Sequence, residues 1–194
     1  MTRLTVIVPT ICRPTLLRTL DSCRGADEVL LAPDGPEALA RVLALASQVA
    51  LPGVVRVLSV GGPHRDHGHT PSNLALEHAA GDWLSRLDDD DAYRPGALDL
   101  VRAALADAEP VPHLFRAGCR AGVVWHTRGE LVEGNVTTAG IVTPRPAGRL
   151  ARYGTRYQGD YDYARACVDL CGGRAVWRDE VIAGPVGATD TPRR

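Results

Sequence analysis

"DWLSRLDDDDAYRPGALDLV", residues 82–101, decides how this chain is read. Residues 82–87 make a short apolar run that reads as a β-strand. It ends on four consecutive carboxylates, Asp88, Asp89, Asp90 and Asp91, which repel one another and raise each other's pKa. Pro95 then suits the first turn of a helix over 95–108, with Leu98, Val101, Ala104 and Leu105 as its apolar stripe. The position of the charge matters, because open α/β sheets bind ligands beyond the carboxyl ends of their strands. If residues 88–91 prolong the strand, side chains alternate, so Asp88 and Asp90 share a face and Asp89 points away. Two carboxylates on one face can hold a hard divalent cation; Mg2+ takes one or two carboxylates together with substrate phosphates. The competing reading is a solvated acidic turn ahead of the helix.

Working outward, the same unit repeats. "LTVIV", residues 4–8, is a β-branched apolar run of the buried parallel type, and a helix follows from Pro14 with Leu16, Leu17, Leu20 and Cys23 as its stripe. "EVLLAPDG", 28–35, is a second strand ending in a turn, 36–50 a helix, and 54–60 a third strand. The polar loop "GGPHRDHGHTPS" leads into a short helix at 73–80 and then into the strand quoted above. Strands alternating with helices predict an α/β fold with a mainly parallel sheet. After about residue 110 the pattern changes. "HLFRAGCRAGVVWHTRGELVEGN" reads as antiparallel strands joined by a turn at "RGE", "GIVTPRP" as another strand, 160–171 as a helix and "RAVWRDEVI" as the last strand. One domain over 1–194 is expected, with an α/β half (1–108) and an α+β half (109–190).

The composition is that of a globular protein: 194 residues, 45% hydrophobic and 23% charged. A net charge of −1 provides no global field toward nucleic acid or anionic membrane. All 22 basic residues are arginine, which excludes any mechanism that needs a catalytic lysine. The five cysteines form no C-x-x-C, nothing resembles a signal peptide, and no run approaches the roughly 18 apolar residues of a membrane helix. A cytoplasmic protein with reduced thiols is expected. Cys167 and Cys171, four apart on a helix beside Ala164 and Val168, read as core rather than as metal ligands.

Three segments in order, "LTVIVPTICRPTLLRTLDSC", "EVLLAPDG" and "SNLALEHAAGDWLSRLDDDDAYRPGALDLV", are similar to those of family 2 glycosyltransferases of the GT-A fold. That family shows V-I-P-T-x-x-R at the first strand, D-G after the second and an aspartate run at the fourth; the match covers roughly residues 3–105 and continues more weakly to "GDYDYARAC". The resemblance implies a metal-dependent inverting glycosyltransferase using a nucleotide sugar, most readily a UDP-sugar. It implies that Pro9, Thr10 and Arg13 border the nucleotide and that Asp34 contacts its base or ribose. Asp88 and Asp90 would be the D-x-D pair holding Mn2+ or Mg2+ against the donor diphosphate, with Asp91 close by. The family's base lies in an acidic segment at a helix start, here "GDYDY": Asp160 matches it and Asp162 is the second choice. An aspartate after a glycine at a helix start is equally a good cap.

There are departures. The family's R-N is Ser72-Asn73 here, which keeps Asn73 as a donor-side residue and leaves Arg65 as one candidate for the missing arginine. His64, His67 and His69 crowd one loop; H-x-x-H-x-H either binds a metal or hydrogen-bonds substrate. His67, His69, His126 and Trp125 are acceptor-side candidates, although core packing suits Trp125 and Trp177 as well. A soluble acceptor is expected: a natural product, a saccharide or a modified nucleic-acid base. For the last, Arg145, Arg149, Arg152 and Arg156 form a local basic run, which also reads as a solvated loop. Two other functions stay open: a glycosyltransferase-like binding protein without catalysis, and a sugar-phosphate nucleotidyltransferase.

Overall fold

The computed structural model describes residues 2–48, 50, 55–119, 122–123, 129–145 and 150–187. The alternating half folds as expected: β1 (Leu4–Thr10), α1 (Leu16–Ser22), β2 (Glu28–Pro33), α2 (Pro36–Gln48), β3 (Val55–Val57), α3 (His69–His78) and β4 (Trp83–Arg86). Then come β5 (Asp91–Tyr93), α4 (Ala97–Leu105), β6 (His113–Cys119), β7 (Gly122–Val123), a 3-10 turn (Thr138–Gly140), β8 (Ile141–Pro144), α5 (Gly159–Leu170) and β9 (Val176–Pro185).

One sheet runs through both halves in the order β3-β2-β1-β4-β8-β6-β9-β5, with β7 added to β6. β1 lies parallel between β2 and β4, while β8 runs antiparallel to β4 and β6. Alternation along the strands divides the core. Val6, Val8, Val29, Leu31 and Trp83 pack with Leu16 and Leu20 of α1, Val42 of α2, and Leu98 and Val101 of α4. Ile7, Leu30, Ala32 and Leu84 pack on the other face with Leu76 of α3 and with Tyr163, Ala164 and Cys167 of α5. Helices therefore cover both faces, as parallel strands require. Cys167 is core, while Cys171 is half-buried at the end of α5. Trp177 packs against the α5 side of the core, in keeping with its structural reading.

Four local expectations are corrected. First, α3 begins at His69 rather than at 73: Asp66 accepts the Thr70 amide (2.9 Å) and hydroxyl (2.5 Å), satisfying donors at the helix start, and Pro71 is tolerated in a first turn. Second, the strand after β6 follows it directly, with Cys119 paired to Gly122. Third, residues 130–137 carry no strand, where the turn at "RGE" was expected to open one. Fourth, the last residue of the acidic run opens β5, which pairs antiparallel with the end of β9 (Asp91 with Pro185, Tyr93 with Ala183). No helix among the described residues is long and apolar enough to cross a membrane.

Candidate functional site

The loops at the carboxyl ends of β1, β2 and β4 enclose a cleft of about 660 Å3. Of the sequence-predicted residues it brings together Pro9, Thr10, Arg13, Asp34, Arg65, His67, Asp88 and Asp90. These come from four separated segments, so their convergence is a property of the fold.

The acidic run is not a prolonged strand. β4 stops at Arg86, and the Asp91 amide donates to the Asp88 carbonyl at 3.0 Å, which closes a turn. Asp88 and Asp90 still face the cleft, with side chains 39% and 42% exposed. Asp89 does not face away into solvent; it is 1% exposed and turned under the β1 loop. Its carboxylate accepts the Thr10 hydroxyl (2.6 Å), the Ile11 amide (3.1 Å) and the Arg13 amide, and it pairs with the Arg13 guanidinium. The Thr15 hydroxyl of the same loop donates to the Asp89 carbonyl, and Thr19 of α1 to that of Asp91, both at 2.7 Å. Alternation fails because a turn replaces the pleat, and the middle carboxylate becomes a buried acceptor for the β1 loop.

Asp34 follows β2 and accepts the backbone amides of His64 (2.8 Å) and Arg65 (3.2 Å), holding the 61–68 loop over the cleft. Gly62, at φ +102°, leaves room for that carboxylate, since a Cβ there would come within 2.5 Å of Asp34 Oδ1. Arg65 (φ +56°), His67 (φ +61°) and, across the cleft, Cys12 (φ +62°) adopt the left-handed conformation that non-glycine residues rarely hold. Such positions collect at binding sites, where surrounding contacts impose them.

The second group of candidates lies at the start of α5. Gly159, not Asp160, is the first helical residue, and Gln158 is the cap. Asp160 accepts the Tyr161 amide (2.7 Å); burial raises its pKa from the ordinary aspartate value, with that amide and the charge of Arg86 pulling the other way. Asp162 is held by the Arg156 guanidinium, Nε to Oδ2 at 2.8 Å and Nη2 to Oδ1, and that pairing lowers its pKa. The two aspartates are thereby separated: burial raises the pKa of one, and the other is the counter-ion of an arginine. Gly159 is required by packing, since a Cβ would lie 2.3 Å from His69 Cε1 and 2.7 Å from the Gly154 carbonyl oxygen.

Some candidates fall elsewhere. Asn73 does not reach the cleft: its amide nitrogen donates to the Tyr153 carbonyl (3.0 Å) and its oxygen accepts the Tyr153 amide (2.8 Å), tying α3 to the chain before α5. His69 is 4% exposed and stacks on Tyr153 at 5.6 Å, whereas His67 sits edge-on to the exposed Tyr157 at 5.3 Å. Among the described residues no group of three or more His, Cys, Asp or Glu side chains, the histidine loop included, has an arrangement that could hold a metal ion. Arg152 pairs with Glu77, and Arg156 with Glu133 and Asp162, so these two members of the basic run are bound to carboxylates. Trp125, His126 and Arg149 lie outside the described residues.

The residue that sequence reading missed is Arg86. It ends β4 at 3% exposure, donates to Asp88 and to the His67 carbonyl, and lies 4.7 Å over the Tyr153 ring. The available signal was an arginine among core positions, which only partners can hold there.

The donor set suits a hard divalent cation. Asp88 and Asp90 offer carboxylate oxygens at the cleft wall, enough for an ion that completes its shell with phosphate and water. Behind them Asp91 is pushed up to about 7 by burial and by the charges of Asp88 and Asp90, a repulsion that a cation would relieve.

The sequence profile of Glycosyl transferase family 2 matches residues 5–176. No curated protein matches the chain. Among solved structures, S. aureus TarS 1–349 in complex with UDP-GlcNAc is similar with a TM-score of 0.68 at 16% identity, over 99% of this chain and 60% of that one. A longer S. aureus TarS gives 0.65 at 15% identity, over 94% of this chain and 36% of that one. The mannosyltransferase PcManGT from Pyrobaculum calidifontis, in complex with GDP-Man and Mn2+, gives 0.66 at 19% identity, over 97% and 58%. The chain thus spans no more than 60% of these proteins, and at such identities the likeness is one of fold. With the profile covering most of its length and the GT-A architecture beneath it, the chain belongs to glycosyl transferase family 2.

Proposed function

We propose that this chain is a metal-dependent inverting glycosyltransferase that moves a sugar from a nucleoside diphosphate sugar to an acceptor hydroxyl. The observation that carries the reading is that two carboxylates, Asp88 and Asp90, are open to the cleft. Beside them in support stands the start of α5, where burial raises the pKa of Asp160 and Arg156 pairs with Asp162. In this reading Thr10, Arg13 and Asp34 border the nucleotide, and the guanidiniums of Arg13 and Arg65 offset diphosphate charge. Asp88 and Asp90, with Asp91 behind them, would hold Mn2+ or Mg2+, which when bound supplies charge neutralisation to the departing diphosphate. Asp160 takes the acceptor proton while the acceptor oxygen bonds to the anomeric carbon from the face opposite the leaving group. The bond from that carbon to the phosphate oxygen breaks, and its electron pair leaves with the nucleoside diphosphate.

UDP-sugars are the first donors to try, followed by GDP-sugars, because the similar structures hold UDP-GlcNAc and GDP-Man. The acceptor class is a saccharide, a natural product or a modified nucleic-acid base, acted on in the cytoplasm. Calorimetry with UDP and GDP, in Mn2+ and in EDTA, tests the reading. Binding that requires Mn2+ and is lost in Asp90→Ala supports it; equal binding in EDTA removes the metal from it. Release of free sugar from a panel of nucleotide sugars identifies the donor.

A further inference from the structure

Arg86 stands where the strand pattern asks for an apolar side chain. It shares a face with Leu84, on the side of the sheet covered by α3 and α5, and is buried to 3% exposure. A guanidinium withdrawn from water carries a large desolvation cost, which only close pairing offsets. The pairing here is one-sided. Nε (3.2 Å) and Nη2 (2.7 Å) both donate to Oδ1 of Asp88, which leaves Asp88 Oδ2 for the cleft. Nη2 also donates to the His67 carbonyl (2.7 Å), the guanidinium rests on Tyr153, and Nη1 is buried without a hydrogen-bond partner. Tyr153 is itself fixed, stacked on Tyr163 at 4.0 Å and clamped by Asn73.

We propose that Arg86 is a positioning residue: it orients Asp88 toward the cleft and ties the acidic run to the His67 loop and to the Tyr153 platform before α5. One side chain thereby registers the donor-side carboxylates against the segment that leads to Asp160, three pieces of chain distant in sequence. A guanidinium suits this task and an ammonium does not, because its planar, spread donors reach Asp88 Oδ1 and the His67 carbonyl at once while its face rests on Tyr153, whereas an ammonium is a compact point charge. The proposal rests on the transferase reading for its purpose, but the hold of Arg86 on Asp88 can be measured without it.

The experiment uses Arg86→Met, Arg86→Lys, Asp88→Asn and the Arg86→Met/Asp88→Asn pair in the full chain. Two quantities are read: UDP affinity in Mn2+ by calorimetry, and urea unfolding for the double-mutant cycle. Arg86→Met is expected to weaken Mn2+-dependent UDP binding by about 10- to 100-fold, as loss of a ligand-orienting partner does, with Arg86→Lys in between. In unfolding, the pair is expected to be non-additive. Wild-type-like UDP affinity in Arg86→Met overturns the proposal. If the wild-type chain binds no nucleotide at all, the transferase reading fails instead. The cycle then decides alone: coupling upholds the Arg86–Asp88 hold, and additivity overturns it.

Discussion

Asp160 and Asp162 are two residues apart and chemically opposite. Asp162 carries an arginine on both oxygens; Asp160 is half-buried with a raised pKa. Asp160→Asn is therefore expected to abolish sugar transfer while Mn2+-dependent UDP binding remains, and Asp162→Asn to act mainly through loop order. Comparing turnover with calorimetric affinity in both variants checks this. The sign of the pH effect follows: the base works deprotonated, so kcat/KM falls as pH drops through its pKa. Because burial raises that pKa, the acid limb should lie above the ordinary aspartate value of roughly 3.9; a limb below it contradicts the assignment. Asp89 shows a different residue-scale effect. Strand alternation predicts that Asp89→Asn is harmless, whereas the structure buries this carboxylate under four donors of the β1 loop. The amide turns an N–H2 toward donors and loses the ionic partner of Arg13. Urea unfolding should show a loss of about 2–3 kcal/mol, in the range for hydrogen bonds to a buried charge, together with weaker nucleotide binding.

At the scale of elements, the start of α5 is set by close packing more than by propensity. Its first residue has no room for a side chain, because His69 of α3 and the Gly154 carbonyl occupy the space. Gly159→Ala, ordinarily mild in a first helical turn, should displace α5 from α3 and carry Asp160 with it. The expected outcome is a loss of about 1–3 kcal/mol, the usual cost of overpacking, with a fall in turnover larger than the fall in UDP affinity. An alanine variant with wild-type turnover and unfolding midpoint would show that the two helices are not in register through this contact. The helices and parallel strands of the first half were legible because each carries its own apolar period. β5 was not: three residues, Asp91–Tyr93, become a strand only because the end of β9 runs beside them. The late start assigned to α3 has a similar origin, since its first-turn donors are satisfied by Asp66, outside the periodic segment.

For the whole molecule, ligand linkage offers the broadest check. If nucleotide and Mn2+ bind the folded chain alone, UDP at 100 times its Kd adds about 2.7 kcal/mol of stability. For a chain of this length that is roughly 5–10 °C in Tm by thermal melt, absent in EDTA and in Asp90→Ala. The cleft itself is a whole-molecule feature, drawn from the ends of β1, β2 and β4 and from the 61–68 loop. The sequence by itself determined the α/β order and the end of the sheet where the cleft lies, and it marked Asp88, Asp90, Asp160 and Asp162 as candidates, because period, turn residues and motif spacing are local. Only the tertiary structure decided that Asp89 is an anchor, that Asn73 is a clamp on Tyr153, that Arg156 pairs with Asp162 and that Arg86 lies beside Asp88. Each of these depends on desolvation and on partners brought together across the chain, as with Asp89 and Thr10, 79 residues apart, and no local pattern encodes such a contact.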